Sequence, residues 1–309
     1  MNVFDRQAKV LQKERAAQRT DVKDFDYLKE EFGYRLADRV LDISRDLDLC
    51  LDIGNSRGYV SRHLSSHNVK KVICMEMSET MIEQCQPPAP EENVEFQTIC
   101  FNEDNKALPF EDESINIVTS SLSMHWVNNL PGLFREVQRV LKKDGVFLGS
   151  MFGGDTLFEL RGSLQLAELE REGGFGSHVS PYVDVQDLGN LLNRSGFTML
   201  TIDSDELVVN FPSVMQLMRD LKGMAENNAA WSRKLRLNRE SLLATDAIYK
   251  ALYGLDNGRI PATFQVYNWI GWKPHPDQPK PLKPQTSEVS LKDLGKLNEI
   301  LQDVPSNKK

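Results

Sequence analysis

Residues 47–60, LDLCLDIGNSRGYV, decide the fold that the sequence predicts. Apolar residues fill most of the first half, 47–53, as expected of a strand that is buried on both faces. Gly54 and Gly58 then bracket a tight turn, after which a helix is predicted over about residues 59–64. A strand, a glycine turn and a helix in this order form the ligand-binding corner of a doubly wound sheet, where small molecules lie beyond the carboxyl ends of the strands.

The turn does not carry the glycine patterns that bind phosphates. A dinucleotide corner reads G-x-G-x-x-G and a P-loop ends in Gly-Lys-Ser/Thr, and this turn matches neither. Asp52 instead places a carboxylate at the end of the strand, where it would repel a pyrophosphate and favour a ligand that carries a cation. Glu76 ends the next predicted strand, 70–76, at a spacing from Asp52 that fits a carboxylate accepting hydrogen bonds from ribose hydroxyls. The two acids indicate a phosphate-free nucleoside with an ammonium and a carboxylate, which describes S-adenosylmethionine.

Each of these residues also has a plainer interpretation. A single glycine pair after a buried strand is often only a turn, and an acid such as Asp52 is often a helix cap or a solvated side chain. The ligand interpretation of Gly54 and Gly58 is strengthened because further strands follow in the expected order.

Strands and helices alternate along the rest of the chain. Further strands are predicted at residues 94–99, 114–118, 146–152, 198–211 and 263–272. Helices are predicted at 25–43, 78–84, 133–141, 157–172 and 185–195, with Ser78 capping the second and Asp155 or Thr156 the fourth, and 213–253 is predicted to be helical with a polar turn at 227–228 in the middle. The predicted fold class is therefore α/β, a doubly wound, mostly parallel seven-stranded sheet with an antiparallel edge strand and helical insertions after strands 5 and 6.

Three segments are predicted along the chain. They are an N-terminal helical arm at 1–46, a ligand-binding domain at 47–273 with helical insertions at 153–196 and 213–253, and a proline-rich tether with a short tail helix at 274–309. The heavily charged residues 3–19 are expected to form an exposed helix or arm. The tail helix is expected to begin with the capping box at Ser290.

The composition is ordinary for a globular protein of 309 residues, with 40% hydrophobic and 27% charged side chains. No run of residues is long enough to span a bilayer, and a net charge of −8 argues against a nucleic-acid partner. The four cysteines show no C-x-x-C spacing, and three of them lie in or at the end of predicted buried strands, which indicates small core side chains in a protein from a reducing compartment. The N-terminus matches neither a secretory signal nor a transit peptide, and a precursor that has lost its transit peptide would look the same.

Polar residues after the third and fourth strands complete the candidate site. Asp104 lies in the acidic loop 102–110, where it is either an acceptor for an adenine amino group or a solvated loop acid. The segment 120–126, SSLSMHW, follows the fourth strand, and its His125 and Trp126 are candidates for the wall of a substrate pocket. Both also have a structural interpretation, because a tryptophan there is often packing and a lone histidine is often only hydrogen-bonded.

The ordered motifs resemble the class I S-adenosylmethionine-dependent methyltransferase family. The resemblance is carried by DIGNSRG at 52–58, Glu76, Glu103-Asp104 before LPF at 108–110, and LKKDG at 141–145, with Asn55 standing where the family usually has cysteine. Within that superfamily, residues 120–131, 151–174 and 270–273 resemble the mitochondrial complex I assembly factors known as arginine hydroxylases. The first of these segments is also similar to the biotin-synthesis enzymes that methylate malonyl-acyl carrier protein.

The resemblance implies a mitochondrial protein on the matrix side of the inner membrane, associated with it peripherally. It implies that the protein hydroxylates an arginine of a complex I peripheral-arm subunit during assembly, with other assembly factors as further partners. The cofactor contacts that it implies for S-adenosylmethionine are Asp52, Gly54, Gly58, Glu76, Met77, Asp104 and Ser120. The candidates for the substrate pocket are His125, Trp126 and Asp155.

The sequence leaves three hypotheses for the activity of the protein. Non-haem iron oxygenases hold their metal with two histidines and a carboxylate, and none of the five histidines stands in the H-x-D/E form, so no metal site and no catalytic residue are predicted. Methyl transfer needs mainly the positioning of an acceptor in line with the sulfonium methyl, so the residues alone favour a methyltransferase acting on a small or carrier-bound acid. The long resembling segments favour arginine hydroxylation, and a non-catalytic assembly chaperone is the third hypothesis.

Overall fold

The computed structural model of the chain describes residues 2–104 and 106–279. The predicted tail helix at Ser290 and most of the predicted tether lie outside these residues. Residues 2–274 belong to one compact unit, and the described part of the remainder, 275–279, contains a short turn. Within the described ranges, no helix is long and apolar enough to cross a bilayer.

The described residues form a seven-stranded sheet in the order β3-β2-β1-β4-β5-β7-β6. The strands are β1 Leu47–Ile53, β2 Val69–Glu76, β3 Glu95–Cys100, β4 Ile115–Ser121, β5 Leu141–Phe152, β6 Thr198–Phe211 and β7 Ile260–Trp272. Strands β1 to β5 pair in parallel, whereas β7 pairs antiparallel with β5 on one side and with the edge strand β6 on the other. The predicted fold class is confirmed, and the carboxyl ends of β1, β2 and β4 meet at one edge.

Helices cover both faces of the sheet. They are α1 Arg6–Ala17, α2 Tyr27–Leu41, α3 Glu79–Glu83, α4 Leu130–Val140, α5 Phe158–Glu172, α6 Val185–Arg194, α7 Val214–Gly223 and α8 Arg239–Tyr253. On one face, Phe134 of α4 and Leu188 of α6 share a core with Trp269 of β7. On the other face, α2 packs against β4 and β5, and its Leu36 and Val40 share a core with apolar residues of β1 and β2. Two helices follow β5 and two follow β6.

Three local predictions are wrong. The predicted helix over 59–64 is only a 3₁₀ turn at Ser61–His63, because Gly58 adopts φ +84° and the chain is extended again at Leu64. Strand β5 begins at Leu141 rather than at residue 146, since Leu141 already pairs with Ile115 of β4 and a bulge separates this pair from the next one, Ile117 with Val146.

The predicted caps of α5 are also wrong. The residue before the helix is Leu157, at φ +55° and without a side-chain cap. Thr156 donates its hydroxyl hydrogen to the carbonyl of Gln265, and the Asp155 amide donates to the Gln265 side chain. The two residues that were predicted to cap α5 are therefore hydrogen-bonded to strand β7 instead.

The N-terminal segment is a helix, as predicted, but it is not an exposed arm. Lys9, Lys13, Ala16 and Ala17 of α1 are all buried. The helix packs on α3 and on the segment after α7, with Met81 and Ala225 between the elements. It therefore lies over the carboxyl end of β2, where the cofactor site is predicted.

Candidate functional site

Asp52 lies at the carboxyl end of β1 with an unsatisfied carboxylate oxygen. The side chain is fully buried, and Oδ1 accepts a hydrogen bond of 3.0 Å from the hydroxyl of Thr119, its neighbour on β4. Oδ2 has no hydrogen-bond partner among the described residues. Burial raises the pKa of Asp52 well above its ordinary value, and the Thr119 hydrogen bond opposes this only in part. A buried orphan acceptor of this kind fits the ammonium of a ligand.

The turn after β1 requires its two glycines. Gly54 and Gly58 have φ values of +68° and +84°. A Cβ on Gly54 would lie 2.0 Å from the hydroxyl oxygen of Ser123, and one on Gly58 would lie 2.6 Å from the carbonyl oxygen of Gln86. The turn therefore passes too close to its neighbours for any side chain.

Glu76, at the carboxyl end of β2, is buried and fully hydrogen-bonded. Its carboxylate accepts backbone hydrogen bonds from Ser56 at 3.0 Å, Met77 at 2.8 Å and Ser78 at 3.2 Å. The ammonium of Lys13 donates to both carboxylate oxygens at 2.8 Å. Burial alone would raise the pKa of Glu76, but the Lys13 charge and these hydrogen bonds outweigh it and lower the pKa below its ordinary value.

The remaining predicted cofactor contacts surround these two acids. Met77 follows Glu76 and is buried. Ser120, on β4 next to the Asp52 partner Thr119, is buried with a hydroxyl that has no partner among the described residues. Asp104 is not a solvated loop acid, because it accepts hydrogen bonds from the Asn128 amide and side chain at 3.1 and 2.9 Å.

His125 and Trp126 are joined by a carboxylate that the sequence did not indicate. Glu226, in the segment after α7, accepts a hydrogen bond of 2.9 Å from the Trp126 indole and lies 3.1 Å from Nε2 of His125. All three side chains are buried. The ring of His125 also packs against Phe152 and Tyr182, at centroid distances of 4.9 and 5.8 Å.

The charges of this group are settled by burial and by the neighbouring cations. Burial raises the pKa of Glu226, but His125 and the ammonium groups of Lys29 and Lys9 outweigh it and bring the pKa to about 2. Burial lowers the pKa of His125 and outweighs its pairing with Glu226, so the imidazole is neutral near pH 7. A neutral imidazole beside a carboxylate donates from Nε2, which leaves Nδ1 as an acceptor, and Nδ1 has no partner among the described residues.

Asp155, the third substrate-pocket candidate, has different hydrogen-bond partners from the other two. Its side chain is exposed and accepts a hydrogen bond of 3.3 Å from Gln265 of β7, and neither His125 nor Trp126 is its partner. A cavity of about 170 Å³ reaches Glu226, the carboxylate that joins His125 and Trp126, and Tyr182 and His178 also lie in its wall.

The structure thus gathers the predicted cofactor acids at one edge of the sheet and adds residues that the sequence missed. Those residues are Arg6, Lys9, Lys13, Thr119, Ser123 and Glu226. A signal for three of them was present, because Arg6, Lys9 and Lys13 recur at helical spacing on one face of α1. The described residues hold no group of three or more His, Cys, Asp or Glu side chains arranged to bind a metal ion.

Known proteins similar to this chain fall into one superfamily. Residues 51–149 match the model of a methyltransferase domain. The mitochondrial arginine-hydroxylase NDUFAF5 of Danio rerio is 49% identical over 303 residues, which cover 98% of this chain and 92% of that protein. A malonyl-[acyl-carrier protein] O-methyltransferase of Halorhodospira halophila is 29% identical over 79% of this chain and 81% of its own length.

Solved structures agree on the fold. A crystal structure from Bacillus halodurans C-125, described as a methyltransferase, covers 77% of this chain and 99% of its own with a TM-score of 0.53. The sequence identity is only 17%, so this likeness concerns the fold alone.

Proposed function

We infer the function of this site from one premise: the chain belongs to the family of the mitochondrial arginine-hydroxylases named NDUFAF5. The protein is an enzyme with a methyltransferase fold that hydroxylates an arginine side chain of a protein substrate. The observation that carries this proposal is the extent of the similarity, which runs over nearly the whole chain and includes the helical insertions as well as the cofactor-binding half.

The residues at the sheet edge fit S-adenosylmethionine as the cofactor. Two buried acceptors without partners, Oδ2 of Asp52 and the hydroxyl of Ser120, support this assignment. Asp52 would hold the ammonium of the ligand, Glu76 the ribose hydroxyls and Asp104 the adenine amino group, while the glycine turn lets the backbone approach the ligand closely. When bound, S-adenosylmethionine supplies an electrophilic sulfonium methyl group, which serves methyl transfer; hydroxylation takes its oxygen atom and its oxidising equivalents from a separate co-substrate such as dioxygen with a reductant.

His125 is the residue that we assign to the acceptor side of the site. Glu226 fixes the ring and its tautomer through Nε2, and the free lone pair of Nδ1 can accept a hydrogen bond from a guanidinium N–H of the substrate arginine. Phe152 and Tyr182 pack on the imidazole and exclude water from it. The role of Glu226 is to position His125, since its carboxylate is already shared between the imidazole and the Trp126 indole.

The location and the partners follow from the same family. We propose that the protein acts in the mitochondrion, on the matrix side of the inner membrane and in peripheral contact with it. Its substrate is a peripheral-arm subunit of complex I, met during assembly of the complex. A basic arginine is a suitable acceptor for an acidic protein, because the net charge of −8 favours the approach of a cationic segment.

A second function is favoured by one specific observation. The similarity to a malonyl-[acyl-carrier protein] O-methyltransferase covers 79% of the chain, so methyl transfer to a carrier-bound acid is the alternative activity. It needs only the cofactor site and an acceptor held in line with the methyl group. A third role, assembly without catalysis, needs only the fold and its ligand.

Mass spectrometry of complex I subunits separates these three roles. Cells that lack the chain are complemented with the wild type, with Glu76→Gln, or with Glu79→Gln, an exposed acid on α3 that serves as the control. Hydroxylation predicts that one arginine gains the mass of an oxygen atom with the wild type and the control only. An arginine mass that is the same with and without the chain contradicts the proposal.

The alternatives give different readouts, one with the purified protein and one in the complemented cells. Release of S-adenosylhomocysteine by the purified protein with malonyl-acyl carrier protein would identify the methyltransferase. Assembly of complex I with Glu76→Gln, without any mass change on arginine, would identify the non-catalytic role.

A further inference from the structure

The cationic face of α1 lies on the acids that the proposed cofactor would use. Arg6, Lys9 and Lys13 are spaced by three and four residues, so they project from one side of the helix. Lys9 and Lys13 are buried, and the side chain of Arg6 is 10% exposed. Buried cations need partners, and each of the three finds its partners at the site.

Lys13 occupies acceptor positions on the Glu76 carboxylate that ribose hydroxyls would need. The ammonium bonds to both carboxylate oxygens, and three backbone amides from the glycine turn and the start of α3 complete the carboxylate. A carboxylate offers about four acceptor positions, so no position is left for a hydroxyl donor. Lys13 and the ribose hydroxyls are therefore alternative occupants of Glu76.

Arg6 lies against the loop after the next strand, β3. Its guanidinium donates to Glu103 at 2.8 Å and to Asn102 at 3.1 Å, and Nε lies 3.8 Å from the Asp104 carboxylate. These residues form the loop after β3, where the sequence places the adenine contact. Arg6, at the start of α1, and Lys13, two turns further along, thus lie at the two ends of the proposed nucleoside site.

Lys9, between them, extends the same helix to the acceptor side. Its Nζ lies 3.2 Å from the centroid of the Trp126 ring and donates to the carbonyls of Ala225 and Asn227 at 2.8 and 2.9 Å. Burial lowers the pKa of Lys9 well below its ordinary value. Those carbonyls flank Glu226, the partner of His125. Movement of α1 would therefore uncover both halves of the site together.

We propose that α1 is an internal strap, whose cations occupy the acids of the nucleoside site and which the cofactor must displace in order to bind. The proposal rests on the proposed function, because it takes S-adenosylmethionine as the competing ligand. Displacement of the strap also uncovers Trp126, so cofactor binding precedes binding of the protein substrate.

Calorimetric titration with S-adenosylmethionine tests the competition on the full-length chain. Lys13→Met keeps the length of the side chain and removes the ammonium, so we expect it to bind the ligand about tenfold more tightly than the wild type, within the usual range of such couplings. Lys13→Arg keeps the charge and should bind like the wild type. Arg15→Met, an exposed position on the same helix, controls for the loss of one positive charge.

Hydrogen exchange of the α1 amides supplies a readout that does not depend on these variants. If the strap is displaced, adding S-adenosylmethionine to the wild type speeds exchange across residues 6–17. Slower exchange there would mean that α1 closes over the ligand. A Lys13→Met variant that binds no more tightly than Arg15→Met would mean that Lys13 does not compete with the ligand. Either result would contradict the strap and leave the cofactor assignment intact. Failure of every chain to bind the ligand would overturn the cofactor assignment and the strap with it.

Discussion

Lys13 and Glu76 form a buried ion pair in which the ammonium donates to both carboxylate oxygens at 2.8 Å. The two residues lie on α1 and at the end of β2, and their side chains are 4% and 0% exposed. The carboxylate that the sequence assigns to ribose is therefore satisfied from within the chain. The pair connects the proposed cofactor site to a helix that the sequence alone marks as an exposed arm.

The glycine turn should tolerate no side chain. For Gly54→Ala, the positive φ and the overlap with the Ser123 hydroxyl should lower the free energy of unfolding by about 2 kcal/mol or more. Gly154→Ala is the matched control, since a Cβ there meets nothing within 4 Å. Urea unfolding of both variants makes the comparison, and equal stabilities would show that the turn is not constrained as described.

Glu226 should contribute strongly to stability. Glu226→Gln removes the charge that pairs with Lys29 and Lys9 in a buried site, which should cost roughly 3 kcal/mol, whereas Glu240→Gln on the exposed surface of α8 should cost little. The pKa of Glu226 falls from 4.5 to about 2 on folding. Its contribution is therefore present above pH 4.5 and is lost as the pH falls towards about 2.

The measurement for Glu226 is chemical unfolding at several pH values. The stability gap between the wild type and Glu226→Gln should be widest near neutral pH and should shrink below pH 4.5. A gap that is no larger than the one given by Glu240→Gln would contradict the buried charge group.

Asp52 should show the opposite pH dependence. Burial raises its folded pKa above the unfolded value, so its contribution to stability is fully present below the unfolded pKa, about 3.9, and is lost as the pH rises through the folded pKa. Relative to Asp52→Asn, the wild type should therefore lose stability as the pH rises. Asp48→Asn is the control on the same strand, because a hydrogen bond from Lys70 lowers the pKa of Asp48 and reverses the sign.

Binding of the cofactor should be linked to the same titration. An ammonium beside Oδ2 stabilises the charged carboxylate, so S-adenosylmethionine should release a proton from Asp52 and bind more tightly as the pH rises to its folded pKa. Calorimetry in buffers of different ionisation enthalpy measures the proton release. If Asp52→Asn releases as many protons as the wild type, the ligand ammonium does not lie on Asp52.

Hydrophobic periodicity predicted most of the sheet. Strands β1 and β6 have the predicted limits, because their apolar patterns are bounded by turn residues. The sequence predicts an exposed helix or arm where α1 is partly buried. The pattern is missed because long cationic side chains, rather than large apolar ones, are buried on this helix. Glu226 was missed because it lies in an irregular segment without periodicity, and its partner His125 is 101 residues away in the sequence.

In the proposed site, two acids at the ends of neighbouring strands hold one cationic nucleoside. Calorimetric titration of S-adenosylmethionine into the wild type, Asp52→Asn, Glu76→Gln and the exposed control Glu79→Gln tests this most directly. We expect the wild type and Glu79→Gln to bind equally, and the other two to bind at least about tenfold more weakly, as expected for the loss of a charged hydrogen bond. Unchanged affinity in both Asp52→Asn and Glu76→Gln would contradict the account.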